Sequence, residues 1–483
     1  MLNNTHWDSL IPHNALLNDI HEFYWILGLI IVFFTVFSIV FREHLFVSEA
    51  LVATLVGVLV GPDLLNFFNP IDWFGDHVEV VFWEVSRLVV SFQCLLVGLN
   101  LPLKYRTSLV TDMLYMVGPV MLFMWILSSL GVKLVFGLSW TDSFTIGACI
   151  TPTDPVLANA IVSGKFSEKH LTSAVRSLIV AESGINDGLG LFFLWIPFYL
   201  SRVTPLGDAI GWLTVKVLLY QVLLSVVAGL MIGYIICNIL KFAFDRNWID
   251  SSYLPLICIA LMFGPVGLLS RFGVDDILGC FFVGYGISYD GWFLNKLGGP
   301  HVFEMVDAFI NMIYFFLLGA LLPWGQFYEI GFVKLICLSL FILAFRRLPI
   351  VMTLWKYVPS LKSRKDAFLT GWFGPIGAGA CFYATFAYDL GTHDDLGPIV
   401  LFVVFSSIII HGFSVVFFDY FLNEPGSLVE EVQQQEEEGD LEVGKTFTLV
   451  ESGESADAFG KVDEDSATSI TQKNSSENIL KNL

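Results

Sequence analysis

The run Thr151-Pro152-Thr153-Asp154-Pro155 interrupts an apolar stretch of membrane-spanning length, and a second such stretch contains Glu182-Ser183-Gly184-Ile185-Asn186-Asp187. Each run carries a carboxylate, Asp154 or Asp187, at a depth where an ionised Asp costs about 3 kcal/mol on insertion scales. The sequence therefore predicts an ion or proton site. The two prolines of residues 151–155 remove backbone donors and disfavour helix before each of them, so the chain is expected to unwind there.

The composition is that of a protein with many membrane spans. Of 483 residues, 55% are hydrophobic and 14% charged, and the mean hydropathy is +0.71. This is too apolar and too poor in charge for a soluble globular protein. The net charge of −20 is uneven, since residues 424–483 hold 15 of the 45 Asp and Glu but 4 of the 25 Lys and Arg. We predict a transmembrane domain, residues 1–423, and an acidic, disordered tail, residues 424–483.

Apolar runs of about 20 residues predict an all-α polytopic membrane protein with thirteen spans. The predicted spans, numbered 1 to 13, lie near residues 22–41, 46–61, 79–100, 109–130, 141–162, 173–200, 214–243, 252–270, 275–290, 302–322, 332–354, 366–388 and 398–421. Span 5 contains residues 151–155, and span 12 contains the helix-breaking run Gly374-Pro375-Ile376-Gly377-Ala378-Gly379. Spans 1–6 and 8–13 are thus predicted to be inverted repeats, and paired interrupted helices point to a transporter site. The alternative is that Pro and Gly are merely common in membrane helices.

Basic residues in the connecting loops predict the orientation. Twelve Lys and Arg lie in the odd-numbered loops and five in the even-numbered loops. Because cytoplasmic loops carry the excess of Lys and Arg, the odd loops and the acidic tail are predicted to be cytoplasmic and the N-terminus outside. No Lys or Arg precedes Arg42, so a cleavable signal peptide is not expected.

The oxygen atoms around the two carboxylates suit a small alkali cation. Thr153 and Asp154 stand at the break in span 5, and Ser183 and Asp187 share one helix face because they are four residues apart. The seven cysteines lie singly, and no CxxC or His-x-x-x-His pattern is present, which argues against a transition metal or a cofactor. Burial raises the pKa of a carboxylic acid and a bound cation lowers it. One buried carboxylate can therefore exchange a proton for a metal ion, which is antiport in chemical form.

Other charged residues within the spans are predicted to form ion pairs. A buried Glu182 requires a cationic partner, and span 11 offers Arg346 or Arg347. We predict that Glu182 pairs with Arg346, with Arg347 as the alternative. Glu84 and Arg87, three residues apart in span 3, are predicted to be a local pair.

Asp275, Asp276 and His411 each allow two interpretations. The two aspartates open span 9, where acidic residues favour a helix N-terminus, but they could instead belong to the ion path. His411 in span 13 fits a hydrogen-bonded core histidine, with a proton-sensing role as the alternative.

The motifs together resemble a known family. Residues 151–155 and the run ESGINDGLG (182–190) are followed by FGVDDILGCFFVGYGISYDGW (272–292) and FRRLPIV (345–351). In this order they are similar to the fungal Na+/H+ antiporters of the cation/proton antiporter superfamily, and the resemblance covers essentially the whole membrane region. It implies a homodimer in which each protomer has a dimerisation domain and a moving core domain that carries the crossed helices.

The resemblance also implies roles for individual residues. Asp187 resembles the family's essential cation and proton carboxylate, Asn186 its partner and Asp154 the second acidic residue. Thr153 and Ser183 resemble the supporting oxygen ligands. The family's acidic pair that supports transport matches Asp275 and Asp276. An Asn-Asp form of this motif implies one-for-one, electroneutral exchange. Some prokaryotic relatives carry a Glu ligand late in span 3, where this chain has Gln93 and Leu96.

The leading hypothesis is export of Na+ or Li+ in exchange for protons across the plasma membrane by alternating access at Asp154 and Asp187. Alternatives are a K+(Na+)/H+ antiporter of an internal membrane and a cation channel. An intramembrane aspartyl protease would also need two buried Asp, but no Gly-x-Gly-Asp signature occurs. The expected partners are the transported ions, the lipid bilayer and a second copy of the chain, with no nucleic acid.

Overall fold

The computed structural model describes residues 15–39, 48–162, 165–297 and 301–422, and it contains no β-strand within them. The predicted acidic tail, residues 424–483, lies outside the described residues. The α-helices are α1 Ala15–Ile39, α2 Glu49–Val60, α3 Pro70–Phe74, α4 Val78–Asn100, α5 Arg106–Tyr115, α6 Met121–Phe136, α7 Trp140–Cys149, α8 Pro155–Val162, α9 Lys165–His170, α10 Ser173–Arg202, α11 Leu206–Trp212, α12 Leu224–Asp245, α13 Leu254–Phe272, α14 Asp276–Ile287, α15 Trp292–Leu297, α16 His301–Ala320, α17 Trp324–Ile330, α18 Phe332–Phe345, α19 Leu348–Leu354, α20 Arg364–Trp372, α21 Ala378–Asp389 and α22 Leu396–Leu422.

Helices occupy all thirteen predicted spans, at least in part. Among the described residues, eight helical segments are long and apolar enough to cross a membrane, and three shorter apolar helices lie at residues 24–37, 49–60 and 276–287. The all-helical, multi-pass membrane fold is therefore confirmed. The number of thirteen crossings and the inverted relation of the two halves stay predictions.

The two predicted interruptions are present. Ser139 caps α7, which ends at Cys149, and the chain becomes helical again only at Pro155, the first residue of α8. Ser363 and Asp366 form a capping box at the start of α20, and residues 373–377 separate α20 from α21. Pro152 and Pro375 lie within the two breaks, where their missing N–H groups leave no helical hydrogen bond unmade.

A third interruption divides the eleventh predicted span, near residues 332–354. Helix α18 ends at Phe345, α19 begins at Leu348, and Pro349 stands in its first turn. A proline at that position is compatible with a helix start but not with a helix interior. Arg346 and Arg347 therefore lie at the break between two helices.

The broken helices lie inside the apolar core. Buried side chains of the broken helices α7, α8 and α21 belong to the main cluster together with those of α4, α10, α16 and α22, and a second cluster lies among α4, α13, α14 and α16. None of the seven cysteines forms a disulfide within the described residues, and all except Cys337 are buried. Irregular backbone at membrane depth is tolerated where protein covers it, which is the situation of both crossed breaks.

Candidate functional site

The two breaks cross and are joined through Asp154. The Asp154 N–H donates to the Pro375 carbonyl at 2.8 Å. The Asp154 carboxylate accepts from the Leu157 N–H at 2.8 Å through Oδ1 and from the Ala378 N–H at 2.7 Å through Oδ2. One carboxylate thus caps the N-terminal ends of both α8 and α21, where the helix dipole favours negative charge.

Gly377 makes this double cap sterically possible. A Cβ atom placed on Gly377 would lie 2.1 Å from Asp154 Oδ2. That distance is far below van der Waals contact, so a side chain would push the carboxylate away from the Ala378 N–H. The helix-breaking glycine in span 12 is therefore needed for a close approach between the two breaks.

Arg346 binds backbone carbonyls next to the helices that precede the two breaks. Its Nη1 donates to the carbonyls of Ile150, Thr151 and Pro152, and its Nη2 donates to the Gly374 carbonyl. These carbonyls follow the C-terminal ends of α7 and α20, where the dipole favours a cation. Asp154 and Arg346 together compensate four helix ends buried in the protein.

Glu182 pairs with Arg347, not with Arg346 as we had predicted. Arg347 Nη1 lies 2.6 Å from Glu182 Oε1, and both side chains are almost fully buried. The helix break between α18 and α19 explains why Arg347, rather than Arg346, pairs with Glu182. The Arg346 guanidinium donates to the carbonyls at the crossing. Arg347 faces α10, and its Nε donates to the Thr370 carbonyl at 3.0 Å.

A hydrogen-bond network connects this ion pair to the first break. Asn186 Nδ2 donates to Glu182 Oε1 at 2.9 Å and to Thr153 Oγ1 at 3.2 Å, while Asn186 Oδ1 accepts from the Thr153 N–H at 2.8 Å. Thr153 Oγ1 donates to Ser183 Oγ at 3.1 Å. The structure thus brings together Thr153, Ser183 and Asn186, three of the predicted site residues.

Asp187 is buried next to this network, but its carboxylate makes no hydrogen bond within the described part of the chain. Its side chain is 1% exposed, and neither carboxylate oxygen has a hydrogen-bond partner among the described residues. A Cβ atom on Gly379 would lie 2.5 Å from Asp187 Oδ1, so the carboxylate lies against the first turn of α21. Tyr383 donates to the Asp187 backbone carbonyl and leaves the carboxylate unpartnered. Because such a buried group is costly, Asp187 is the side chain that requires a proton or a cation.

The acidic pair at span 9 lies in a separate cluster. Asp275 caps α14 by accepting from the Leu278 N–H at 3.0 Å, whereas Asp276 pairs with Arg87 at 2.6 Å and accepts from Ser270 at 2.5 Å. Arg87 also contacts Glu84 at 3.0 Å, so the predicted local pair is present. The capping interpretation fits Asp275, while the sequence did not indicate that Asp276 contacts Arg87.

His411 is buried and hydrogen-bonded on both sides. Its Nδ1 lies 3.1 Å from Ser407 Oγ, and its Nε2 lies 3.1 Å from the Trp372 carbonyl at the end of α20. This geometry fits the core-histidine interpretation.

A further acidic residue inside a predicted span, for which no role was predicted, has an unsatisfied oxygen within the part of the chain that the structure describes. Asp307 lies in α16, and its Oδ1 is buried without a partner among the described residues. The signal that identified Asp154 and Asp187, a carboxylate within an apolar span, was also present there.

Crossed, interrupted helices around a buried and unpartnered carboxylate define the fold and site of a secondary transporter. The chain belongs to the family described as "Sodium/hydrogen exchanger, transmembrane", which it matches over residues 28–418. It is 35% identical over 425 residues to "Na(+)/H(+) antiporter 2" of Zygosaccharomyces rouxii, covering 82% of this chain and 52% of that protein. It is 32% identical over 424 residues to a "Na(+)/H(+) antiporter" of Schizosaccharomyces pombe, covering 83% of this chain and 90% of that protein.

The fold also matches a solved structure. The sodium proton antiporter MjNhaP1 from Methanocaldococcus jannaschii superposes with a TM-score of 0.61 at 15% identity, covering 84% of this chain and 97% of that chain. At this identity the likeness concerns the fold alone. The chain spans about half the length of several curated relatives that it matches, for example 52% of the Zygosaccharomyces protein.

Proposed function

We propose that this protein exports Na+ or Li+ in exchange for protons, by alternating access at Asp187. The observation that carries this proposal is the buried Asp187 carboxylate, whose two oxygens have no partner among the described residues. Such a group is stable when it is protonated or when it binds a cation, and the two states exclude each other. Competition for one carboxylate links inward proton movement to outward cation movement.

The neighbouring residues have separate roles in this mechanism. Ser183, one helical turn before Asp187 in α10, and Thr153, which donates to Ser183, offer hydroxyl oxygens, and hard oxygens suit an alkali cation. Asn186 orients Thr153 through two hydrogen bonds. Asp154 holds the crossed breaks together and adds negative charge near the cation. Asp275 and Asp276 support transport by fixing the start of α14, and the Glu182–Arg347 pair keeps α10 in register with the crossing.

Two relatives named as Na(+)/H(+) antiporters support Na+ as the cation. We extend the proposal to a homodimer in the plasma membrane, with the acidic tail in the cytoplasm and a role in salt tolerance and pH homeostasis. A K+(Na+)/H+ antiporter of an internal membrane is the second candidate. It is favoured by a 22% identical relative named "K(+)/H(+) antiporter NhaP" from Alkalimonas amylolytica.

Protease chemistry has little support from the geometry. An aspartyl protease needs two carboxylates that share a proton and a water molecule. Both oxygens of Asp154 instead accept backbone N–H groups of α8 and α21. The protein is therefore proposed to be a transporter and not an enzyme.

The test is flux in vesicles reconstituted with the purified protein. An imposed pH gradient should drive Na+ uptake against its own gradient with the voltage clamped at zero, and Asp187→Asn should abolish this uptake. Asp395→Asn, which changes an exposed carboxylate outside the site, should retain it. Uphill uptake in Asp187→Asn vesicles would contradict the mechanism, and flux that only follows the cation gradient would indicate a channel. The same vesicles loaded with K+ decide between the two antiport candidates.

A further inference from the structure

A second group of oxygen atoms lies between α4 and α16, outside the crossing. Gln93 Nε2 donates to Asn311 Oδ1 at 2.6 Å, and Asp307 lies four residues before Asn311 in α16, on the same helix face. Gln93 is 3% exposed and Asn311 is 6% exposed. Gln93 and Asn311 thus connect the two helices by a polar contact inside apolar surroundings.

Two atoms of this group have unmet hydrogen-bonding capacity. Asp307 Oδ1 and Gln93 Oε1 are buried, and neither has a partner among the described residues. Within the described residues, Asp307 also takes part in none of the ion pairs. Buried polar atoms are almost always satisfied, so an unsatisfied carboxylate oxygen and an unsatisfied amide oxygen in this group point to a missing cationic ligand.

The position of the group relates it to the crossing. Gln93 is followed by Cys94, whose thiol donates to the Gly184 carbonyl of α10 at 3.3 Å, one turn before Asp187. Asp307 also lies in the first two turns of α16, which follows the ninth connecting loop of the predicted thirteen-span topology. In that topology the group lies between the odd-loop end of the bundle and Asp187.

We propose that Asp307, Asn311 and Gln93 form a second binding site for a monovalent alkali cation, which holds the ion before it passes to Asp187. One carboxylate and two amide oxygens are hard ligands that replace part of the hydration shell of Na+ or Li+. The negative charge of Asp307 raises the local cation concentration on one side of the exchange site. This inference rests on the proposed antiport function and names the access route to the same site.

Binding is tested without transport. In detergent, NaCl should raise the melting temperature of the Asp187→Asn variant relative to equal choline chloride, because a ligand that binds only the folded state stabilises it. The shift should disappear in Asp187→Asn with Asp307→Asn, and it should persist in Asp187→Asn with Glu304→Gln. Glu304 is the matched control, since it is an exposed carboxylate one turn away on the same helix. A Na+-dependent shift that survives the loss of Asp307 would overturn the proposal.

Transport gives the second test. Asp307→Asn should raise the KM for Na+ about ten-fold when Na+ is presented from the odd-loop side, with a smaller change in maximal rate and no change in KM from the other side. Asp307→Glu should restore most of the affinity, and Glu304→Gln should leave both constants unchanged. Equal KM values for the wild type and Asp307→Asn from the odd-loop side would contradict the second site. Wild-type vesicles without pH-driven Na+ uptake would instead contradict the proposed function, while the melting experiment would still test the site.

Discussion

Glu182 and Arg347 form an ion pair whose side chains are 1% and 3% exposed. Breaking a buried pair leaves one charge without compensation and costs about 3–5 kcal/mol. We expect Glu182→Gln to lower the free energy of unfolding by about that amount. It should also weaken transport, because Asn186 loses the charged acceptor that positions it. Thermal unfolding in detergent measures the first effect, and flux at a permissive temperature measures the second.

The exposed pair of Glu84 with Arg87 is the matched control. Glu84 is 54% exposed, so Glu84→Gln should cost less than about 1 kcal/mol. The double variant Glu182→Gln with Arg347→Met should recover part of the lost stability, since it removes the uncompensated charge as well. A double variant less stable than Glu182→Gln alone would mean that Arg347 acts mainly through the Thr370 carbonyl.

At the scale of single residues, the sequence indicated which side chains lie at the two breaks and in α10 beside them better than it indicated their hydrogen-bond and ion-pair partners. Asp154 and Asp187 stand out because an ionisable group in an apolar span is rare. The partner of Glu182 was mispredicted because Arg346 and Arg347 are adjacent. Only the helix break at these residues decides which guanidinium faces α10. Asp307 carries the same signal, a carboxylate within an apolar span, although no role was predicted for it.

At the scale of helices, residues 151–155 and 374–379 predicted both breaks because Pro and Gly act locally. The sequence did not show how the breaks meet. Asp154 caps α21 as well as its own helix α8, and Arg346 binds carbonyls next to two other helix ends. These contacts depend on the crossing of segments more than 200 residues apart, which local propensity does not encode.

Gly377→Ala tests the crossing directly. The added Cβ would meet Asp154 Oδ2 at 2.1 Å, so the carboxylate must leave the Ala378 N–H or the two breaks must separate. Loss of a helix cap costs about 1 kcal/mol, and overpacking adds about 1–3 kcal/mol. We expect a clear fall in melting temperature and loss of pH-driven Na+ uptake.

Gly267→Ala provides the control for this substitution. Gly267 lies in the interior of α13, and an added Cβ would meet no atom within 4 Å. Ala favours a helix interior over Gly by about 1 kcal/mol, so this variant should be as stable as the wild type or more stable. If Gly377→Ala behaves in the same way as Gly267→Ala, the close contact at the crossing is not needed for folding or transport.

At the scale of the whole molecule, the orientation in the membrane decides which side loads the exchange site. The excess of Lys and Arg in the odd-numbered loops, twelve against five, predicts that those loops are cytoplasmic. Asp307 would then lie on the cytoplasmic side of Asp187, where a site that collects Na+ for export is useful. The opposite orientation would make the same site load Na+ from outside.

Cysteine labelling tests this orientation. Tyr328 in α17 is 78% exposed and belongs to an even-numbered loop, and Trp248, 69% exposed, belongs to an odd-numbered loop. In a Cys337→Ser background, where the other native cysteines are buried, a membrane-impermeant maleimide should label Tyr328→Cys in intact cells. Trp248→Cys should be labelled only after the cells are permeabilised. The reverse labelling pattern would mean that the bundle has the opposite orientation in the membrane. Asp307→Asn would then impair Na+ binding from the external side.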